Sequence, residues 1–125
     1  MEQLTSIEST RGDLLRADVD ALVNTVNTVG AMGKGIALQF KRAYPEMFTA
    51  YLAACRAGEV QVGRMHVWRT GALTGPRFVI NFPTKQDWRN PSRLEWVRDG
   101  LSDLVRVVEQ EQIRSILRGP PTVRA

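Results

Sequence analysis

The pattern of apolar and polar residues along the chain switches between the period of a strand and the period of a helix. Residues 21–27 form an apolar, β-prone run that predicts a buried parallel strand, and the glycines of residues 30–35 follow it. Apolar residues then recur at helical spacing over 35–43 and, after a proline, over 45–58. A modest alternation over 4–9 predicts a further short strand near the start of the chain.

The second half of the chain predicts three more strands. Residues 65–68 and 78–81 are β-prone and are separated by a turn-rich segment, and Pro83 is expected to end the second strand. Residues 113–117 resemble another short strand. Residues 118–125 have no periodicity and are expected to form an irregular tail.

The longest helix is predicted to start at Ser92 and to end near Gln112. Ser92 and Glu95 have the spacing of a capping box, in which the hydroxyl and the carboxylate satisfy free backbone N–H groups. The apolar positions of this helix are expected to face a sheet, and they are Leu94, Val97, Leu101, Leu104, Val105 and Val108.

The alternation of strands and helices indicates an α/β fold, with helices covering a largely parallel or mixed sheet. A chain of 125 residues with 43% apolar composition can bury one core, so we expect one domain. No apolar run approaches the roughly 20 residues that cross a bilayer, and the N-terminus lacks the features of a secretory signal. We therefore expect a cytoplasmic protein with no membrane contact.

Charge and cysteine content narrow the possible partners. The net charge of +4 favours a polyanion, although cations spread along the chain without a basic tail are more typical of an ordinary soluble surface. One cysteine excludes an internal disulfide, and a single histidine leaves no set of residues for the usual His/Cys metal sites. The sequence therefore predicts neither a metal nor a cofactor.

The glycine-rich segment is the first candidate for chemistry. Residues 28–35 follow a strand and precede a helix, the context in which backbone N–H groups and the helix dipole bind an anion. The spacing matches neither the dinucleotide fingerprint nor the P-loop. The loop is therefore either a phosphate cradle or a flexible turn between strand and helix.

Three polar residues that precede this loop in the sequence allow two interpretations each. Asn24 and Asn27 lie just before the loop, at the carboxyl end of a strand, where α/β sheets bind ligands. Their amides could contact a sugar hydroxyl or could cap the loop backbone. Asp13 could accept a hydrogen bond from an adenine amino group or could stabilise the turn after Gly12.

Lys85 is the second candidate, because it follows the β-prone segment 78–81 and could face the same crevice. A charged lysine there would stabilise a leaving group, and a desolvated one could act as a nucleophile or a base. The ordinary alternative is a solvated surface lysine.

Taken together, residues 11–15, 21–27, 30–37 and 81–85 resemble the macro domain family. The resemblance implies a three-layer fold that binds ADP-ribose or removes it from modified targets. The four segments are most similar to the branch of DarG antitoxins, which partner DarT-type toxins. That branch implies an ADP-ribosyl glycohydrolase that releases ADP-ribose from thymidine in single-stranded DNA.

The resemblance also implies a role for each matching residue. Asp13 would bind the adenine amino group, Asn27 would contact the distal ribose, and residues 33–36 would hold the diphosphate. Lys85 and Asn27 would be the catalytic residues, with Lys85 acting as nucleophile or as electrostatic stabiliser. The residues expected to contact ADP-ribose are Asp13, Leu14, Asn24, Asn27, Gly30, Met32, Gly33, Lys34, Gly35, Ile36 and Thr84.

The resemblance extends from about residue 11 to residue 116. The family's second glycine-rich phosphate loop and its last helix do not follow, so residues 1–117 are expected to form a macro domain that is incomplete at its C-terminal end. Two alternatives to an active enzyme stay open for such a chain. It could be a module that binds ADP-ribose without turnover, or an inactive fragment.

Overall fold

A computed structural model describes residues 18–87 and 89–118 of the chain. The strand expected at 4–9, the segment that holds Asp13 and Leu14, and the end of the expected tail lie outside these residues. The described elements are, in chain order, β1 (Ala21–Asn27), α1 (Gly35–Ala43), α2 (Pro45–Arg56), β2 (His66–Arg69), β3 (Phe78–Lys85), α3 (Leu94–Gln110) and β4 (Ile116–Arg118). Within the described residues, no helix is long and apolar enough to span a membrane.

The four strands form one sheet in the order β2-β3-β1-β4. The central strand β1 pairs in parallel with β3 and with β4, and β2 pairs antiparallel with β3. This arrangement confirms the predicted mixed, largely parallel sheet. It also places the carboxyl ends of β1 and β3 side by side at one edge of the sheet.

The sheet separates two hydrophobic cores, because successive side chains of a strand point to opposite faces. On one face, Leu22 and Val26 of β1 pack with residues of α1 and α2, among them Phe40 and Tyr51. On the other face, Ala21, Val23, Phe78, Ile80 and Phe82 pack with Val107 of α3. Two helical layers around one sheet confirm the predicted three-layer α/β fold.

The prediction that Pro83 ends β3 is wrong, because the strand continues to Lys85. Pairing with β2 stops at Asn81, so Pro83 lies where one side of β3 has no neighbouring strand. Its partner on the other side is Val26, next to a shift in the register between β1 and β3. Proline is tolerated at such edges and irregularities because no N–H is required there.

The predicted start of α3 is also wrong. The helix begins at Leu94 with Arg93 as its N-cap residue, and no side chain caps it. Ser92 therefore lies one residue before the capping position. The Glu95 carboxylate lies 4.0 Å from the Arg93 guanidinium, so it is oriented towards this exposed cation instead of the position that a capping box requires.

The face of α3 that meets the sheet agrees only in part with the predicted one, because Leu104 and Val108 pack on the core as expected but three other predicted positions do not. Leu94, Leu101 and Val105 are 70%, 52% and 55% exposed, whereas Gly100 and Val107 are buried. Gly100 packs against the ring of Phe82, so the helix approaches the sheet at its smallest residue. The large apolar residues alone could not reveal this contact.

The last strand is shorter and later than predicted. It begins at Ile116 and includes Arg118, which the sequence assigned to the tail. Before it, the backbone N–H of Arg114 donates to the Asp20 carboxylate over 2.7 Å, and the Ser115 carbonyl accepts from the N–H of Ala21. These bonds hold residues 114 and 115 against the start of β1 outside the strand ladder, which begins only at Ile116.

The contact between Gly100 and Phe82 can be tested by replacing Gly100 with alanine. Alanine is favoured over glycine by about 1 kcal/mol in an exposed helix. Here its Cβ would overlap the Phe82 ring, so we expect the free energy of unfolding to fall by roughly 1–3 kcal/mol. Ser102→Ala, at an exposed position of the same helix, is the control and should be neutral or slightly stabilising in urea unfolding. A Gly100→Ala protein as stable as wild type would contradict the close approach.

Candidate functional site

A cavity of about 510 Å³ opens where β1 and β3 end. Asn27 and Lys85 are partners in the register of these two strands, so they lie side by side at the cavity. The end of β1, the glycine loop, the first turn of α1 and the end of β3 form the wall. The residues that line it are Thr25, Val26, Asn27, Ala31, Met32, Gly33, Lys34, Ala37, Thr84 and Lys85.

The Asn27 side chain holds the first half of the glycine loop. Its Oδ1 accepts hydrogen bonds from the backbone N–H groups of Val29, Gly30 and Ala31 over 3.1, 3.1 and 3.2 Å. Its Nδ2 donates to the Ala31 carbonyl over 3.0 Å. Asn27 therefore caps the loop backbone and, because it also lines the cavity, keeps access to a ligand.

Tyr51 of α2 supports Asn27 from behind. Its fully buried hydroxyl lies 2.8 Å from the main-chain oxygen of Asn27 and 3.1 Å from Oδ1, so its single proton is shared between the two. Burial raises the pKa of Tyr51 well above its ordinary value, so the hydroxyl stays protonated and donates. The sequence interpretation did not include Tyr51, although a tyrosine on a buried helix face requires a hydrogen-bond partner.

The second half of the loop is open towards solvent. Gly33, Lys34 and Gly35 are exposed, and no atom lies within 4 Å of the position that a Cβ of Gly33 would take. Helix α1 begins at Gly35, and the side chain of its N-cap residue Lys34 makes no capping bond. The N–H groups of a first helical turn have no partner in their own helix. This half of the loop can therefore donate to an anion, whereas 29–31 donate to Asn27.

Thr84 and Lys85 form the opposite side of the cavity, and both are half-buried. Among the described residues, no carboxylate lies within 4.0 Å of the Lys85 ammonium. The Thr28 hydroxyl donates to the Gln86 carbonyl over 2.9 Å and ties the two strand ends together. Lys85 thus brings an uncompensated positive charge to the cavity.

Asn24 does not reach the cavity, contrary to its prediction as a ligand contact. It lies within β1 on the face covered by α1 and α2 and is 0% exposed. Its Nδ2 donates to Asn81 Oδ1 over 3.2 Å and lies 3.9 Å from the Met32 sulfur. Asn81 Nδ2 in turn lies 3.0 Å from His66 Nδ1. The three side chains form a buried polar chain behind the site.

Three more predicted contacts lie outside the cavity wall. Gly30 packs against Leu52 of α2, with a positive φ of 92°, and Ile36 packs on the core between α1 and the sheet. Gly35 starts α1 with a φ of 57°. Asp13 and Leu14 lie outside the described residues. The cavity includes four residues that were not predicted, Thr25, Val26, Ala31 and Ala37, and their small or apolar side chains gave no chemical signal.

Comparisons with known proteins agree with this architecture. A family model described as Macro domain matches residues 23–119. Over 109 residues the chain is 62% identical to a protein of Mycobacterium tuberculosis named DNA ADP-ribosyl glycohydrolase, with 87% of this chain and 31% of that protein covered. The chain therefore spans about a third of the length of this curated relative.

The chain also superposes on solved structures. The macrodomain of Mycobacterium tuberculosis DarG superposes with a TM-score of 0.83 at 63% identity, covering 86% of this chain and 70% of that one. The structure described as Thermosipho africanus DarTG in complex with ADP-ribose superposes with a TM-score of 0.75 at 28% identity, covering 81% of this chain and 29% of that one.

The two halves of the loop should respond differently to a methyl group. Gly30→Ala is expected to lower the free energy of unfolding by about 1–3 kcal/mol, because φ is 92° and the new Cβ would lie 2.6 Å from Leu52 Cδ1. Gly33→Ala is the matched control and should unfold like wild type, since its Cβ meets no atom. Urea unfolding measures the stability of both variants. Equal free energies of unfolding would contradict the conclusion that Gly30 is packed and Gly33 is open.

His66 should make stability depend on pH. Burial lowers its pKa below the ordinary value of 6.5, and neutral Nδ1 can accept the hydrogen bond of Asn81. Below pH ~6.5 the unfolded chain binds more protons than the folded one, so stability should fall as the pH is lowered from about 7.5 to 5.5. His66→Gln removes the only imidazole of the chain and should reduce this fall in thermal melts. Identical pH profiles for the two proteins would show that His66 contributes nothing.

Proposed function

Because the chain belongs to the macro domain family, we propose that its cavity binds ADP-ribose and that it removes ADP-ribose from modified thymidine in single-stranded DNA. The observation that carries the proposal is the pairing of Asn27 with Lys85 beside an open glycine loop. This pairing combines an anion cradle, an amide and a free cation in one cavity. The names of the similar proteins, including a structure with ADP-ribose, support the same ligand.

The diphosphate fits the open half of the glycine loop. Backbone N–H groups at the start of α1 carry the positive end of the helix dipole, and Lys34 adds a charge at the same wall. The absence of a Cβ at Gly33 leaves space for the phosphate oxygens. The distal ribose then lies towards Asn27 and Lys85, and Asp13 is proposed to bind the adenine.

Lys85 is proposed as the catalytic residue of an N-glycosidic hydrolysis. Water supplies a hydroxyl to the anomeric carbon and a proton to the departing thymine. A charged Lys85 stabilises the negative charge that develops on the base. The alternative is attack by the neutral amine on the anomeric carbon, followed by hydrolysis of the adduct. Replacement by arginine separates the two roles, since arginine keeps the charge and cannot attack.

DNA as the carrier of ADP-ribose is supported by charge. The chain has a net charge of +4, and a polyanion is attracted to such a surface. We include in the proposal a partnership with a DarT-type toxin that adds ADP-ribose to DNA. The domain would then act as the antitoxin that reverses this modification.

The test is release of ADP-ribose from an oligonucleotide with ADP-ribosylated thymidine. Lys85→Met is expected to reduce kcat at least 100-fold, because it removes the cation at the scissile bond. Lys85→Arg should keep part of the activity if charge is what matters. Lys41→Met is the control and should act like wild type, since Lys41 lies on α1 with its ammonium over the Phe48 ring.

Three results would change the proposal. Full activity of Lys85→Met would remove Lys85 from the mechanism. Loss of activity in Lys85→Arg to the level of Lys85→Met would favour the nucleophile. A wild-type protein that binds ADP-ribose without releasing it from DNA would be a binding module.

A further inference from the structure

We infer that Tyr51 is a positioning residue of this site, because its hydroxyl fixes the orientation of the Asn27 carboxamide and through it the shape of the glycine loop. The inference rests on the proposed function for its catalytic consequence. Its structural part stands on hydrogen bonds alone. Tyr51 is not among the residues that line the cavity, and its hydroxyl reaches the site through Asn27.

The donors around Asn27 permit only one orientation of its amide. Oδ1 faces the N–H groups of Val29, Gly30 and Ala31 and the hydroxyl of Tyr51. A rotation of the amide by 180° would place its NH₂ group against these four donors. The hydrogen bonds therefore determine the orientation of the Asn27 amide. In this orientation its NH₂ group, which carries two N–H donors, points away from the four donors.

One of these two donors remains for a ligand. Nδ2 gives one hydrogen bond to the Ala31 carbonyl, and no second acceptor for it is found within the described residues. Asn27 is 7% exposed and its exposed part lines the cavity. In the determined orientation, Asn27 thus acts as a donor of one N–H to an oxygen of the ligand, such as a ribose hydroxyl.

Tyr51 is the member of this cluster that does not belong to the loop. The other three donors come from 29–31 and would move with the loop if it shifted. Tyr51 is fully buried on α2, where its ring packs against Phe48 and His66 with centroids 6.1 and 6.2 Å away. Its hydroxyl therefore ties the loop and the end of β1 to the helical layer.

Accurate placement of Asn27 matters because Lys85 is its neighbour in the sheet register. The position of a ligand bound to Asn27 is therefore fixed relative to the Lys85 ammonium. A displacement of about 1 Å can reduce a catalysed rate about 100-fold. Removal of the Tyr51 hydroxyl should therefore act more strongly on kcat than on KM.

The experiment compares Tyr51→Phe with Tyr44→Phe. Both variants remove one hydroxyl, and Tyr44 is the chain's other tyrosine, with its ring packed against Phe40 and Trp68. Tyr51→Phe should accelerate amide hydrogen exchange of Val29, Gly30 and Ala31 and leave exchange in the core of β1 unchanged. It should weaken ADP-ribose binding about five- to tenfold, the effect of one or two hydrogen bonds, and lower kcat by more than KM rises.

The outcomes separate this inference from the proposed function. Unchanged exchange of 29–31 in Tyr51→Phe, or the same effects in Tyr44→Phe, would overturn the positioning role. If wild type binds ADP-ribose but releases none from DNA, the proposed activity fails. The ratio of the ADP-ribose affinities of wild type and Tyr51→Phe still tests the role of Tyr51. If wild type binds no ADP-ribose, the proposed function fails altogether, and the exchange rates decide the inference.

Discussion

The site depends on one cluster of hydrogen bonds, in which the Asn27 oxygen meets three successive backbone N–H groups and a buried tyrosine hydroxyl. A chain that turns sharply after a strand leaves N–H groups without ladder partners, and an unsatisfied buried group destabilises the fold by about 1–3 kcal/mol. One side chain satisfies all three groups here. It thereby sets the direction in which the chain leaves β1 and directs the start of α1 towards the cavity.

The second constraint is the pairing of β1 with β3 beyond the end of β2. Pairing in parallel brings two carboxyl ends together, where open α/β sheets bind ligands. The register shift beside Asn27 and the proline in β3 both occur at this point. Because β3 continues past Pro83, Lys85 lies on a strand and not on a loop. Its backbone is therefore fixed by the sheet, which favours accurate placement of its side chain at the cavity.

Much of this architecture follows from periodicity and from glycine and proline. The strand 21–27, both following helices and the position of the glycine loop agree with the structure. The two-residue period also places Asn24 on the same face as Leu22 and Val26, where it is fully buried and lies too far from the end of β1 to line the cavity. The position of Asn27 could not be derived this way, because the register shift breaks the alternation there. The buried face of α3 was predicted in part, through Leu104 and Val108, and the contact at Gly100 was missed because a glycine carries no hydrophobic signal.

The buried polar side chains behind the site add no charge beneath the cavity, so they do not weaken its positive potential. Asn24, Asn81 and His66 bond to one another, and burial lowers the pKa of His66, so the imidazole stays neutral. A charged group in this layer would either repel the ligand or compete with it for Lys85. Because these three polar side chains are neutral, the positive potential of the described part of the cavity comes from the start of α1 and from Lys34 and Lys85. The neutral polar side chains thus lie behind the charged wall, on the face of the sheet that α1 and α2 cover.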